Sequence, residues 1–200
     1  MMNVMEALAR DVQPGPFVEL TVYSGDSQAS GRLALSADRV TDLMNEHDAF
    51  TFVDLSVQSL DDGRALSLPE AVVMREEMCA VAVSGPQGNP RRRMRTRPCP
   101  VEIRLGHYDV SGNLHVLPGT DPLAGFFERR QVMVPLTEAT IAYDSPAGRV
   151  RSRHETLLVN RLLPDRIAPA WHSDVRPPGL APELLGQGVE EDMIPDPLPS

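Results

Sequence analysis

The sequence predicts a mainly β protein built as a tandem repeat of a small, partly open β-barrel or roll, with the order β-β-α-β-β in each unit. Short alternating apolar segments between turn residues indicate strands, and one segment of helical period in each half indicates a short helix. A hydrophobic pattern occurs twice in the same order, whereas polar side chains that could carry out chemistry do not recur. The sequence therefore indicates an architecture more directly than a chemistry.

The repeat is based on five matched segments, each containing apolar positions or a turn glycine. The same order in both halves favours two copies of one unit. The matched segments are Val18-Glu19-Leu20-Thr21-Val22 with Val101-Glu102-Ile103-Arg104-Leu105, Gly31-Arg32-Leu33-Ala34-Leu35 with Gly112-Asn113-Leu114-His115-Val116, Phe52-Val53-Asp54-Leu55 with Met133-Val134-Pro135-Leu136, Asp62-Gly63-Arg64 with Ala147-Gly148-Arg149, and Glu70-Ala71-Val72-Val73-Met74 with Glu155-Thr156-Leu157-Leu158-Val159.

A short amphipathic helix is predicted over residues 1–13, because Val4, Leu8 and Val12 share one helical face and a Pro-Gly-Pro segment follows. The first β-rich unit follows over residues 14–83. Its helix is expected over residues 38–46, with Ser36 or Asp38 as the N-cap. Its strands are expected at residues 17–23, 28–36, 49–60 and 65–83, and the last of these is long enough to bend into two.

The second β-rich unit is predicted over residues 100–168. Leu123, Phe126 and Phe127 have helical spacing within residues 121–130, and Pro122 suits a first helical turn. Strands are expected at residues 132–143 and 150–167. Residues 84–99 are interpreted as an exposed linker rich in Pro, Gly and Arg, and residues 169–200 as an acidic, Pro-rich tail that is mostly disordered.

Composition favours a soluble protein of the cytoplasm. The formal net charge of −9 argues against a nucleic-acid footprint over the whole surface. No apolar run is long enough to span a membrane, and the first residues do not resemble a secretory signal. The two cysteines, Cys79 and Cys99, are expected to be free thiols in a reducing compartment.

No motif indicates an enzyme, a metal site or a cofactor site. The five histidines are scattered, and neither a Cys-x-x-Cys motif, a Gly-x-Ser-x-Gly motif nor a phosphate-binding loop is present. Cys79 lies in an apolar run that indicates a core strand. Cys99, between two prolines and beside arginines, is expected to be the more exposed and more reactive thiol.

One cluster of basic residues suggests a function. It is interpreted either as a solvated loop or as a binding site for an anionic partner, which could be nucleic acid, an acidic protein or the acidic tail of the chain itself. No aromatic residues lie between the arginines, which disfavours a stacking platform for single strands. The cluster consists of Arg91, Arg92, Arg93, Arg95 and Arg97.

The layout of each unit resembles the small, strongly bent sheets of the Sm-like β-barrel family. The residues that carry the resemblance are Val18-Glu19-Leu20, Gly31-Arg32-Leu33, Asp38, Asn45 and Val72-Val73-Met74-Arg75. An aspartate and an asparagine make the RNA contacts of that family, and the second half has Pro118-Gly119-Thr120 and a phenylalanine helix instead. The segment Arg39-Val40-Thr41-Asp42-Leu43-Met44-Asn45 also looks like the helix of bacterial β-rich domains of unassigned function.

The function that these patterns favour is a non-catalytic protein-binding or assembly module. Exposed sheet edges or apolar helix faces would engage another protein or a second copy of the chain. The alternative is binding of RNA or single-stranded nucleic acid through residues 91–97. No cofactor and no small-molecule substrate is inferred.

Overall fold

The structure is a computed structural model that describes residues 15–83 and 95–170, and these contain ten strands and two short helices. In the first half the elements are β1 (Phe17–Ser24), β2 (Ser27–Ala34), α1 (Val40–Glu46), β3 (Ala49–Ser59), β4 (Ala65–Met74), a 3-10 turn (Arg75–Glu77) and β5 (Met78–Val83). In the second half they are β6 (Arg97–Leu105), β7 (Tyr108–Val116), α2 (Pro122–Phe127), β8 (Met133–Ser145), β9 (Gly148–Asn160) and β10 (Arg166–Pro169).

All ten strands belong to one antiparallel sheet with the order β10-β6-β7-β8-β9-β5-β1-β2-β3-β4. The predicted mainly β class is confirmed. The predicted barrels are not formed, because β10 and β4 lie at opposite ends of the sheet and do not pair with each other within the described residues. A single open sheet replaces two closed ones because β5 pairs with β9 of the other half.

Each half contributes five strands in the same spatial order, namely fifth, first, second, third and fourth. A helix lies between the second and third strand of each half, and the order is β-β-α-β-β-β rather than the predicted β-β-α-β-β. The last predicted strand of each half is divided into two strands. The 3-10 turn separates β4 from β5, and a turn after Asn160 separates β9 from β10. β6 begins at Arg97, so the end of the predicted linker belongs to a strand.

The two helices begin differently. Asp121 caps α2, and its carboxylate accepts hydrogen bonds from the backbone N–H groups of Leu123 and Ala124 at 2.9 and 3.0 Å. Helix α1 begins after Arg39 without a side-chain cap, so the predicted capping by Ser36 or Asp38 is wrong. Packing of its buried face, Val40, Leu43 and Met44, stabilises α1 instead.

A β-bulge bends the sheet at corresponding places of the two halves. The register shifts at Gly31 of β2, which faces Asp54 and Leu55 of β3, and at Gly112 of β7, which faces Glu138 and Ala139 of β8. Asp54 and Glu138 have φ angles of 52° and 50°, in the left-handed region that non-glycine residues rarely adopt. The glycines are required because a Cβ at Gly31 would approach Leu55 Cδ1 to 2.9 Å. A bulge of this kind increases the local bend and twist of a strand.

Two hydrophobic cores lie on opposite faces of the sheet where the halves meet. In β5, Ala80 and Ala82 pack into the core formed mainly by the second half, whereas Val81 packs into the core of the first half. In β9, Val159 and Leu158 divide between the two cores in the same way. Both strands are continuously apolar at this point because neither face is exposed to solvent.

Three predicted segments lie partly or wholly outside the described residues. The helix over residues 1–13 is outside them, as are residues 84–94 of the linker and residues 171–200 of the tail. Within the described part of the chain, none of the helices combines the length and the apolar character that a membrane crossing requires.

Candidate functional site

The junction between the halves is a short strand-to-strand contact, which we call the seam. β5 and β9 pair antiparallel, with Val81 opposite Leu158 at its centre and one pair on each side of it. Val81 and Leu158 are both fully buried. The seam therefore joins the fifth strand of one half to the fourth strand of the other through backbone hydrogen bonds and an apolar interior.

A polar clamp next to the seam ties α1 to the second half. The side-chain amide of Asn45 donates to the carbonyl oxygen of Met133 at 3.0 Å, and its Oδ1 accepts from the backbone N–H of Met133 at 2.9 Å. The side-chain amide of the buried Asn160 donates to the carbonyl of Arg75 at 3.3 Å. Asn45, which the Sm-like resemblance would assign to RNA contacts, is engaged with backbone groups of β8 in this structure.

The Arg75 side chain completes the clamp. Its guanidinium donates to the carbonyl oxygen of Asn45 at 3.2 Å, at the end of α1, and forms an ion pair with Asp48. A cation near the last carbonyl groups of a helix is favourable, since those groups have no partners within the helix. The clamp thereby fixes the end of α1 beside the seam.

The outer strands β4 and β10 are the free edges of the sheet within the described residues. β4 exposes three large apolar side chains, Leu66, Val72 and Met74. It also contains Pro69, which lacks a backbone N–H and is tolerated at an edge. β10 is short and pairs with β6 from Arg166 opposite Arg104 onward. An exposed apolar edge strand offers unpaired backbone groups to another strand.

The ladder registers relate the seam to the free edges. We treat the two bulges as equivalent positions of the two halves. From there, the pairing of neighbouring strands assigns to each residue of one half its counterpart in the other. Val72 of β4 then corresponds to Leu158 of β9, and Ile167 of β10 corresponds to Val81 of β5. Leu158 is 0% exposed and Val72 is 62% exposed. The side chain at this position is thus buried in the second half and exposed to solvent in the first.

An aromatic cluster lies on the other side of the seam and contains all three tyrosines of the chain. The ring centroids of Tyr23 and Tyr108 are 5.5 Å apart, and those of Tyr108 and Tyr143 are 5.6 Å apart, in edge-to-face arrangements. The Tyr23 hydroxyl and His154 Nε2 are 3.1 Å apart, within hydrogen-bond distance. Edge-to-face contacts stabilise a buried aromatic cluster beyond the area that it buries.

The hydroxyl groups of this cluster are satisfied, and their ionisation is disfavoured. Tyr108 donates to the carbonyl of Ser27 at 3.0 Å, and Tyr143 donates to the Gln28 side chain. Burial, with a smaller contribution from the neighbouring Tyr143, raises the pKa of Tyr23 to about 12. Burial also raises the pKa of Tyr108 and Tyr143. The cluster therefore acts as a neutral structural link between the halves.

The structure describes only part of the predicted arginine cluster. Arg91, Arg92 and Arg93 lie outside the described residues. Arg95 and Arg97 are exposed, and Arg97 donates to the carbonyl oxygen of Thr120 at 3.1 Å, which fixes it beside the loop before α2. Binding of nucleic acid or another anion by this cluster stays a prediction.

The expectation for Cys99 is wrong. Its side chain is buried, 5% exposed, because Cys99 alternates along β6 with the inward-facing Val101 and Ile103. The alternation of apolar residues at every second position indicated that Cys99 is buried, but the prolines on either side of it suggested a loop. Cys79 is buried in a core strand, as predicted, and burial raises the pKa of its thiol. Neither side chain is placed for reaction with a solute from bulk solvent.

The remaining candidates are the histidines and the acidic residues. Within residues 15–83 and 95–170, no group of three or more His, Cys, Asp and Glu side chains is placed to hold a metal ion. Burial lowers the pKa of His154, which faces the tyrosine cluster. No protein-family model matches the chain, and the comparisons with curated proteins and with solved structures give no match either.

Proposed function

We propose that this protein is a non-catalytic assembly module, made of two copies of one five-stranded unit, that joins copies of itself head to tail through β4 and β10. The observation that carries the proposal is the seam, where the fifth strand of one half pairs with the fourth strand of the other. The two free edges are the remaining fourth strand, β4, and the remaining fifth strand, β10. A second copy can therefore repeat the same type of contact.

The seam supplies a register for this assembly. In the seam, Val81 lies opposite Leu158. At the corresponding positions of two copies, Ile167 of one would lie opposite Val72 of the other. Leu158 packs into the core of the half that owns β5, so Val72 would enter the core of the half that owns β10. Ile167 already packs against that core. The contact is heterologous, which generates a closed ring or an open filament.

The exposed apolar side chains of β4 support the proposal that a second copy of the chain covers this edge. Val72 is 62% exposed, although its counterpart Leu158 is fully buried. Natural edge strands usually carry charges or prolines that prevent pairing, and β4 has Pro69 and Glu70 at its middle. An apolar edge, such as the end of β4 at Val72 and Met74, promotes pairing instead. The two unpaired buried cysteines are consistent with assembly in a reducing compartment such as the cytoplasm.

Disulfide trapping tests the head-to-tail contact in the full chain. Val72→Cys and Ile167→Cys are combined in one variant, which is oxidised under mild conditions and analysed by non-reducing gel electrophoresis. Residues directly opposite each other in paired strands are close enough for a disulfide. We expect a ladder of covalent oligomers from the double variant and none from either single variant. Sedimentation velocity of the unmodified protein should show assemblies that grow with concentration.

Two substitutions distinguish a specific role of the β4 edge from the general effect of placing a charge on the surface. Val72→Asp should reduce the assembly to the single chain, because a charge would have to be buried in the contact. Leu117→Asp is the matched control, since Leu117 is 51% exposed but lies in the loop after β7 rather than on an edge. A single-chain mass at all concentrations for the unmodified protein contradicts the proposal, and so does a dimer linked by Val72→Cys alone.

A further inference from the structure

A basic groove opens on the outward face of the second half, in a chain whose net charge is −9. The groove has a volume of about 340 Å³ and lies over β6, β7, β8 and β9. Four arginines and only two carboxylates, Glu102 and Asp109, contribute to its lining. The four arginines are Arg104, Arg149, Arg151 and Arg166.

The ladder registers place these side chains in one row across five strands. Arg166 of β10 lies opposite Arg104 of β6, and Arg104 lies opposite Asp109 of β7. Ala142 of β8 continues the row and lies opposite Arg151 of β9. Residues that face each other in adjacent strands project from the same side of a sheet. The small side chain of Ala142 therefore forms a floor between arginines on both sides.

Asp109 organises two of the arginines. Its two carboxylate oxygens accept hydrogen bonds from Arg104 Nη1 at 2.5 Å and from Arg149 Nη2 at 2.6 Å. These hydrogen bonds, that from Arg104 most of all, lower the pKa of the Asp109 carboxyl group. Asp109 thus stays ionised and draws together guanidinium groups from β6 and β9, which are separated by two strands.

Arg151 and Arg166 remain as uncompensated cations of the groove. Within residues 15–83 and 95–170 neither forms an ion pair. Arg166 lies directly opposite Arg104, and like charges at facing positions destabilise a sheet. An anion between the arginines would remove this repulsion. Ser111 and Thr140, which also line the groove, carry hydroxyl groups that can donate to such an anion.

We propose that this groove binds a small ligand bearing a phosphate or diphosphate group, held by Arg151 and Arg166 over the Asp109-bridged pair Arg104 and Arg149. Planar guanidinium groups bind phosphate oxygens in a bidentate manner, and every one of the 19 basic residues of the chain is an arginine. The volume is at the lower end of the range for small-molecule pockets.

The observations favour a small ligand over a polymer. An extended nucleic acid is bound by a basic surface that follows its backbone, and binding releases one set of counterions for each contacted phosphate. Here the four arginines of the groove surround a single pocket of about 340 Å³ on an acidic chain. The groove opens on the face of the sheet rather than at its edge, so the inference does not depend on the proposed assembly.

Isothermal titration calorimetry of the full chain with inorganic pyrophosphate tests the site. Binding should occur at one site per chain. Arg151→Gln and Arg166→Gln should each weaken it by about tenfold or more, as expected for loss of a charge-assisted hydrogen bond. Arg64→Gln is the matched control, because the Arg64 side chain is 89% exposed and lies in the turn before β4 of the first half. It should change the affinity by less than about twofold.

Further arms identify the source of the phosphate. Inorganic phosphate that binds nearly as well as pyrophosphate indicates a phosphomonoester, whereas a clear preference for pyrophosphate indicates a diphosphate ester. Thermal unfolding of each variant in the absence of ligand confirms that the sheet is intact. No heat with pyrophosphate overturns the inference, as does equal weakening by Arg64→Gln. An oligonucleotide that pyrophosphate does not displace, and whose binding Arg151→Gln and Arg166→Gln both weaken, also overturns it.

Discussion

The two halves have the same strand order but carry different side chains on the outward face. Both have a glycine-dependent bulge between the second and third strands and the same strand order. In the second half one outward row contains Arg166, Arg104, Asp109 and Arg151. The corresponding row of the first half contains Ala80, Tyr23, Gln28, Gln58 and Ala65. No residue of this row in the first half bears a charge.

This difference shows which residues determine the path of the chain and which are left for function. Tyr23 occupies the position that corresponds to Arg104, yet it is buried because it joins the aromatic cluster at the seam. Both halves have inward apolar residues and bulge glycines together with the same strand order. The outward row can therefore serve as a structural link in one half and as a charged groove in the other.

The largest expected effect distinguishes the seam from the corresponding free edge. Leu158→Asp places a carboxylate in the core of the first half and should lower the free energy of unfolding by at least about 4 kcal/mol. Val72→Asp, at the corresponding position of β4, should change the stability of the single chain by less than about 0.5 kcal/mol, since Val72 is 62% exposed. Urea unfolding of both variants at low protein concentration measures the difference. Equal losses would mean that β4 is covered within the chain.

A smaller effect tests whether the two bulges are equivalent. A Cβ at Gly31 would meet the Leu55 side chain at 2.9 Å, and a Cβ at Gly112 would meet the backbone of Ala139 at 3.1 Å. Gly31→Ala and Gly112→Ala should each lower the free energy of unfolding by about 1–3 kcal/mol through overpacking. Similar losses are expected, because the Cβ would also come to 3.2 Å from the Leu55 Cα at Gly31 and to 3.1 Å from the Ala139 Cα at Gly112. Gly25→Ala is the control, since a Cβ there meets nothing within 4 Å.

Local patterns in the sequence predicted much of the fold. Alternation indicated the strands, and a change to helical spacing indicated a helix between the second and third strand of each half. The apolar match was less reliable in detail. It aligned Asp54 with Pro135, whereas the bulges align Asp54 with Glu138. An alternating pattern can be shifted along itself, and only the pairing with a neighbouring strand fixes its register.

The candidate sites depended on contacts that no local pattern contains. Whether the sheet closes is decided by which edge β5 meets, and it meets β9 of the other half. Arg104, Arg149 and Arg166 are far apart in the sequence and meet only through the registers of five strands. The compact cluster over residues 91–97 was visible in the sequence because its members are adjacent. A sequence therefore reveals charged residues that are neighbours along the chain, but not a groove whose residues come from separate strands.

The smallest effect at neutral pH concerns the aromatic cluster, where Tyr23 replaces the arginine of the second half. The folded-state pKa of Tyr23 is raised to about 12, above the value near 10 of an unfolded chain. Its contribution to stability is therefore fully present below about pH 10 and is lost as the pH rises toward 12. Because burial raises the pKa of Tyr108 and Tyr143 as well, all three tyrosines of the chain report on the seam.

An alkaline titration followed by tyrosinate absorbance and circular dichroism checks this expectation. Ionisation should lag behind that of free tyrosine and coincide with loss of the sheet signal. Tyr23→Phe removes one ionisable group together with the contact between Tyr23 and His154. It should therefore lower stability slightly at neutral pH and reduce the further loss at about pH 11. Complete ionisation near pH 10 in a folded protein would show that the tyrosines are solvated. The seam would then lack the buried aromatic link that distinguishes the first half from the second.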